Sequence, residues 1–288
     1  MIAGAPECPY CRSRSDLALQ YADQRMTVCQ SCGAWFVWPR PTPAAVLEHY
    51  GQNVHGMPAG LRAWRSDTIQ ARAYERVARR IARLASSKNV KTIVDVGAGA
   101  LELTVSLARE FRGALVEAWD LFADGLDRPI PEDIADRVRL RRIDLNQLDA
   151  ASPSGSFDVV ACVAVIEHVL DPIALLHLLR SLIAPGGFAY VVAPEASSLA
   201  HRILRSRWPY YHPDEHVNLP TLQSIERAVT PLGGRWQLRR TNMHYSLKYV
   251  LRYLHLPLPL PDILLSIPAG AFELVWQNED PRSALHSS

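Results

Sequence analysis

Apolar positions along this chain change rhythm near Lys91. Beyond it, short unbroken apolar runs alternate with stretches in which apolar residues recur every three or four positions. That alternation predicts a parallel β-sheet covered by helices on both faces. Strands are expected at Thr92–Val96, Leu115–Asp120, Val138–Ile143, Phe157–Val163 and Gly187–Ala193, and helices near Leu101–Phe111, Asp171–Ile183 and Leu222–Val229. Two later runs, Trp236–Arg240 and Phe272–Trp276, would extend the sheet as an antiparallel pair. Upstream, Leu61, Trp64, Tyr74, Val77, Ile81 and Leu84 recur mostly at three- and four-residue steps with arginines between them, which predicts an amphipathic helix within Leu61–Ala85.

A chain of 288 residues that is 48% hydrophobic can bury one α/β domain and a small appendage. The formal charge is only +2, with Arg and Lys spread over the whole length, so no basic stripe marks a nucleic-acid surface. A small-molecule partner is favoured. Met1–Tyr10 has no apolar core behind a basic start, as an export signal would. The apolar stretch Leu254–Trp276 is broken by Pro257, Pro259, Pro261 and Pro268 and holds Asp262 and Glu273, so it is not a membrane span. A cytoplasmic protein without membrane association is expected; oligomeric state is left open.

The cysteines add a second module. Cys8-x2-Cys11 and Cys29-x2-Cys32 are two knuckles seventeen residues apart. Each CxxC turn aims two thiolates at one centre, and two turns complete the tetrahedral S4 set of a structural zinc ribbon. So short a segment buries too little surface to fold unaided, and the metal would supply most of its stability. Cys162 lies in an apolar run as a small core residue. Pro39, Pro41 and Pro43 stop regular structure after Trp35–Trp38, which gives three expected units: a ribbon at 1–42, a helical lid or linker at 43–86, and an α/β domain at 87–288.

Chemistry gathers at the carboxyl ends of the expected strands. Asp95-Val96-Gly97-Ala98-Gly99 closes the first strand and opens a helix, where glycines let backbone approach a ligand. Asp120 closes the second strand twenty-one residues after Gly99, followed by Leu121, and Asp144-Leu145 closes the third. In open α/β sheets this edge forms the ligand crevice. A nicotinamide-binding turn would need a third glycine where Glu102 stands.

The ordered set Asp95-x-Gly97-x-Gly99, Asp120, Asp144-Leu145, Phe157-Asp158, Glu167-His168-Val-Leu-Asp-Pro172 and Ala184-Pro-Gly-Gly187 resembles the successive motifs of class I methyltransferases over residues 90–195. That resemblance implies a doubly wound seven-stranded sheet with S-adenosylmethionine across its carboxyl edge. By position, Asp95, Gly97, Ala98 and Gly99 would form the turn around the methionine moiety, Asp120 and Leu121 would meet the ribose side, and Asp144 and Leu145 the adenine. The family commonly has a further glycine where this chain has Ala100-Leu101.

The segment Trp208-Pro-Tyr-Tyr-His212-Pro-Asp-Glu215-His216-Val-Asn218 follows the fifth strand and concentrates imidazoles, carboxylates and aromatic rings. Zinc-ribbon methyltransferases of bacterial natural-product and sugar pathways look similar in both halves. The resemblance to them implies His216 as general base with Glu215 orienting it; His212 is the second candidate. Methylation of a small metabolite, at oxygen in preference to carbon or nitrogen, is the leading expectation. The alternatives are an RNA methyltransferase whose ribbon grips phosphates through Arg12, Arg14 and Arg25, and a non-catalytic interaction module.

Overall fold

The cysteine knuckles organise the first strands. The computed structural model describes residues 6–14, 25–52, 69–86, 88–121, 130–148, 157–247, 251 and 263–278. Strands β1 (Met26–Val28) and β2 (Trp35–Val37) pair antiparallel, and the Cys29–Cys32 turn joins them. Helix α1 (Pro43–Gln52) starts on the last of the three prolines expected only to stop regular structure. Proline suits a first helical turn, where its missing N–H would have no intrahelical acceptor. The Thr42 hydroxyl accepts from the Ala45 N–H at 3.2 Å. Helix α2 (Ile69–Leu84) fills the later part of the expected amphipathic stretch; residues 61–68 lie outside the described residues.

The apolar runs become strands as expected. They are β3 (Thr92–Val96), β4 (Leu115–Asp120), β5 (Val138–Arg142), β6 (Phe157–Val163) and β7 (Ile183–Pro194), with α3 (Glu102–Glu110) and α4 (Pro172–Leu182) between them. Beyond β7 come α5 (Leu199–Leu204), β8 (Asn218–Leu219), α6 (Leu222–Val229), β9 (Arg235–Ser246) and β10 (Leu264–Gln277). Three strands are longer than their apolar cores. β7 starts directly from the end of α4, and β9 and β10 continue past a register shift between Ile267 and Ala271 that breaks their sequence alternation.

The large sheet runs β5-β4-β3-β6-β7-β10-β9, parallel through its first five strands, with β10 antiparallel to both neighbours. The chain winds outward from β3 to β5, then returns to the other side of β3 with β6. That reversal opens a crevice at the carboxyl ends of β3 and β6, the place where doubly wound sheets bind ligands. One core layer lies on each face: Ile93, Val116 and Val159 face the side of α2 and α3, while Val94, Val160 and Val191 face the side of α4 and α6.

The ribbon is continuous with this body. Strand β2 also pairs with β8, so β1-β2-β8 form a second sheet. Met26 and Val37 share a core with Trp208, Tyr211, Val217 and Leu219.

At the opposite flank, buried Glu273 of β10 accepts from Arg80 of α2 at 2.9 Å, Arg239 of β9 at 2.8 Å and the Tyr190 hydroxyl of β7 at 2.9 Å. One carboxylate thereby ties a covering helix to three strands. Glu273→Ala would leave that cluster without its anion, and a loss of about 2 kcal/mol is expected because the arginines are partly solvated. Urea unfolding of the variant checks it; an unchanged midpoint would make the cluster incidental.

Candidate active site

The glycine turn after β3 is pinned from β4. The Trp119 carbonyl accepts from Gly97 N–H at 2.7 Å and from Ala98 N–H at 3.1 Å, and Asp120 Oδ2 accepts from Gly99 N–H at 3.0 Å. Gly97 (φ 75) and Gly99 (φ 52) are both left-handed. They differ in what surrounds them. A Cβ on Gly97 would sit 2.4 Å from Val165 Cγ2, whereas one on Gly99 would meet nothing within 4 Å. Gly97 is therefore glycine for packing, and Gly99 faces open space where a ligand can lie against backbone. Leu101, which stands where the family commonly has glycine, is also left-handed (φ 68), with its side chain buried in the α2–α3 core. A leucine holds a conformation that glycine adopts without strain.

The acids expected at this rim arrive there. Asp95 is buried, accepts from the Thr104 hydroxyl at 2.6 Å, and burial pushes its carboxyl up to about 7. It holds the start of α3 against the turn. Asp120 accepts from Ile143 N–H through its carbonyl at 3.1 Å, bringing the segment before Asp144 alongside, and Leu121 follows directly. Asp144 folds its own loop, accepting from Asn146 N–H at 2.9 Å and Gln147 Nε2 at 2.7 Å, while Leu145 packs on the core. Residues 122–129 and 149–156, which flank this rim, lie outside the described residues.

Beside the turn, at the end of β6, Ala164 takes a left-handed conformation (φ 57). This bend seats Val165 on Gly97 and turns Glu167 and His168 inward. They meet His216, whose ring lies 4.7 Å from that of His168. Glu167, His168 and His216 each offer a ligand atom within 4.8 Å of the others. The Tyr210 carbonyl lies 2.6 Å from His216 Nδ1 and the Glu215 carbonyl 3.1 Å from His168 Nδ1. A carbonyl can only accept, so both rings carry a proton on Nδ1. Glu167 is buried, and neither carboxylate oxygen has a hydrogen-bond partner among the described residues. Burial pushes its carboxyl up to about 8.

The two other expected catalytic residues sit around this cluster. The His212 ring is 5.8 Å from that of His216. The Glu215 carboxylate lies 3.8 Å from His49 Nε2, and the Tyr210 carbonyl accepts from His216 Nδ1 at 2.6 Å.

Two residues without a sequence signal hold the loops together. Asn218 of β8 donates its N–H to the Glu167 carbonyl at 3.0 Å and its side-chain amide to the Val169 carbonyl. Arg40, just past β2, donates to the Val217 carbonyl at 2.7 Å, Asn218 Oδ1 at 2.9 Å and the Leu170 carbonyl at 2.5 Å. Burial lowers its guanidinium to about 10. The ribbon thus clamps both loops that carry the imidazoles.

In the ribbon, Cys8 Sγ and Cys32 Sγ are 3.6 Å apart, Cys11 Sγ and Cys29 Sγ 3.5 Å, and all four sulfurs lie within 4.8 Å of one another. Sulfurs around a tetrahedral zinc would sit about 3.8 Å apart, so the donor set fits that ion. The hydrogen bond between Cys8 and Cys32 pulls the Cys8 thiol down and pushes the Cys32 thiol up. Cys162 is buried in β6, as expected of a core residue.

With this geometry in view, the family can be named: a family model described as a methyltransferase domain matches residues 69–233, more than half of the chain. The chain belongs to that methyltransferase family. The ubiquinone biosynthesis O-methyltransferase of Psychrobacter cryohalolentis is 39% identical over 101 residues, 34% of this methyltransferase and 38% of that protein. The protein of the same name from Ralstonia nicotianae is 34% identical over 115 residues, 35% and 42% of the two chains. The match thus spans about two fifths of these relatives. Among solved structures, YcgJ from Bacillus subtilis superposes with a TM-score of 0.51 at 13% identity, covering 71% of this chain and 98% of that one. An Anabaena variabilis protein from an antibiotic biosynthesis pathway gives 0.51 at 16% identity, covering 70% and 96%. At these identities the likeness shows the shared fold. No described helix of the methyltransferase is long and apolar enough to cross a membrane.

Because β8 is paired to the ribbon, disrupting the four-cysteine set should loosen the imidazole loop before it loosens the sheet. Cys32→Ser is expected to speed amide exchange at Val217–Leu219 while Val94–Val96 keep their protection. Equal loss of protection at both places would show that the ribbon has no selective hold on the loop.

Proposed function

We propose that this chain transfers a methyl group from S-adenosylmethionine to an oxygen of a small hydroxylated metabolite. What carries the reading is the adjacency of two features at one sheet edge: the open glycine turn with Asp120, and the cluster of Glu167, His168 and His216. Oxygen is favoured because the relatives matched over this region are named O-methyltransferases.

S-adenosylmethionine, when bound, supplies an electrophilic methyl on a sulfonium. The chain's own residues supply placement and proton control. Asp120 takes the ribose hydroxyls, while Gly97, Ala98 and Gly99 present backbone at the methionine end. Asp144 and Leu145 border the adenine side, Leu121 lies beside Asp120 at the ribose, and Asp95 keeps the turn in place. His216 is the proton acceptor for the hydroxyl, through Nε2, with Nδ1–H fixed on the Tyr210 carbonyl. Glu215 and His212 shape the entrance beside His49. The four ribbon cysteines hold a structural zinc, and the division into ribbon, helical lid and catalytic domain follows the expected bounds.

The charge pattern supports a small acceptor over RNA. Of the ribbon arginines that could grip phosphate, Arg12 is paired with Asp171 at 3.0 Å and Arg25 with Asp214. They brace the ribbon on the domain.

Asp120→Ala should weaken S-adenosylmethionine binding roughly tenfold to a hundredfold by removing charge-assisted ribose bonds. Calorimetry checks it, and unchanged affinity would place the ribose elsewhere. His216→Ala should keep cofactor affinity and lose about 10²–10⁴ in turnover of methyl label into a hydroxylated metabolite pool. Full activity would remove His216 from the chemistry.

A further inference from the structure

The turn that presents His216 is also one wall of a cavity. A space of about 460 Å3 lies where the ribbon, α1 and the residues Pro213 and Asp214 meet. His216 N–H donates to the His212 carbonyl at 2.6 Å, closing a single turn of chain on which Pro213 and Asp214 line that space. Sites for small molecules commonly enclose about 300–1,000 Å3. A second cavity, between α2 and α3, measures about 250 Å3 and is lined by Glu75, Arg79, Arg109 and Glu110. It is too small and too charged to compare. The larger cavity has the size of a ligand site and adjoins the imidazole loop.

Its lining is largely apolar. Val37 and Trp38 come from the ribbon, Pro39 and Pro41 from the ribbon's exit, Val46 from α1 and Pro213 from the turn. Prolines and an indole are rigid surfaces with few hydrogen-bonding groups, so they suit a flat carbon ring and offer little to a polyol. The charged side chains at the rim are already paired. Arg25 Nη1 donates to Asp214 Oδ2 at 2.9 Å, and His49 Nε2 lies 3.8 Å from the Glu215 carboxylate. A charged ligand would compete with these pairs, which favours an uncharged one. Because Glu215 immediately precedes His216, the His49 end of the cavity is the end toward the proton acceptor.

We infer that this cavity holds the carbon body of the methyl acceptor, an uncharged apolar ring compound whose hydroxyl passes His49 to reach His216. The inference rests on the proposed methyl transfer and adds to it a substrate class and the residues that select it. Trp38 and Val46 set the apolar fit, while His49 and Glu215 border the path of the hydroxyl. His216 keeps its role as proton acceptor. The ribbon then has two tasks: it fixes the imidazole loops, and with Val37 and Trp38 it forms part of the acceptor site. Helix α1 supplies the facing wall, and the Arg25 pair with Asp214 holds ribbon and turn at the spacing the cavity needs.

The test is binding of 1-naphthol to the full chain by equilibrium dialysis, with two substitutions on α1. Ala45 lines the cavity and its neighbour Ala44 does not; both are exposed, so a tryptophan at either position is compatible with the fold. Wild type and Ala44→Trp are expected to bind 1-naphthol alike, and Ala45→Trp at least tenfold more weakly, with glucose at the same concentration displacing none of it. Equal affinity in Ala45→Trp, no binding by wild type, or displacement by glucose would overturn the proposal. Thermal melts and S-adenosylmethionine calorimetry on the same samples should agree across all three proteins, which establishes that the variants are folded. They also separate the two readings: wild type that binds S-adenosylmethionine but no 1-naphthol loses this site alone, whereas wild type that binds no S-adenosylmethionine loses the methyl-transfer reading whatever the dialysis shows.

Discussion

Asn218 is the point on which the rest of this structure depends. Its backbone extends the ribbon sheet, its N–H and side-chain amide hold the loop after β6, and its side-chain oxygen accepts from Arg40. Three stretches far apart in sequence, near residues 40, 168 and 217, are thereby fixed within one set of hydrogen bonds. Each bond adds about a kcal/mol, and a buried amide left without them would lose more than that. The consequence is geometric: two imidazoles from separate loops face one carboxylate next to the glycine turn.

This arrangement gives the ribbon a mechanical role. Four thiols fasten a small sheet whose third strand comes from the catalytic body, and the same module closes the core around Trp208 and Tyr211. The ion pairs of Arg12 and Arg25 point the same way, since both end on loops that border the site. The ribbon is a buttress for the imidazole loops, while the rim around the glycine turn is built almost wholly from β3, β4 and the segment after β5.

Much of the glycine-turn rim was legible in the sequence, because it follows local rules. Unbroken apolar runs become buried parallel strands, and glycines and acids at their carboxyl ends mark the rim. Cysteine spacing announced the ribbon for the same reason. The imidazole cluster was harder to read. Arg40 and Asn218 carry no periodic signal, and their partners are backbone carbonyls that the sequence does not single out. Glu167 and His168 stood in a recognised motif, yet their convergence with His216 depends on Ala164 adopting a left-handed turn and on β8 pairing with β2. His216 was legible as a titratable group, but the carbonyl that accepts from its Nδ1 lies six residues back and carries no side-chain signal. Helix α1 was hidden by the proline that begins it, and the length of β9 and β10 by the irregular register between them.

The central claim is that cofactor rim and imidazole cluster form one site. A crystal structure of the full chain with S-adenosylhomocysteine tests it most directly. The account predicts ribose hydroxyls on Asp120, the amino-acid portion against Gly97–Gly99, and the sulfur facing the cluster of Glu167, His168 and His216. Ligand density elsewhere on the sheet, or a sulfur turned away from that cluster, would contradict it.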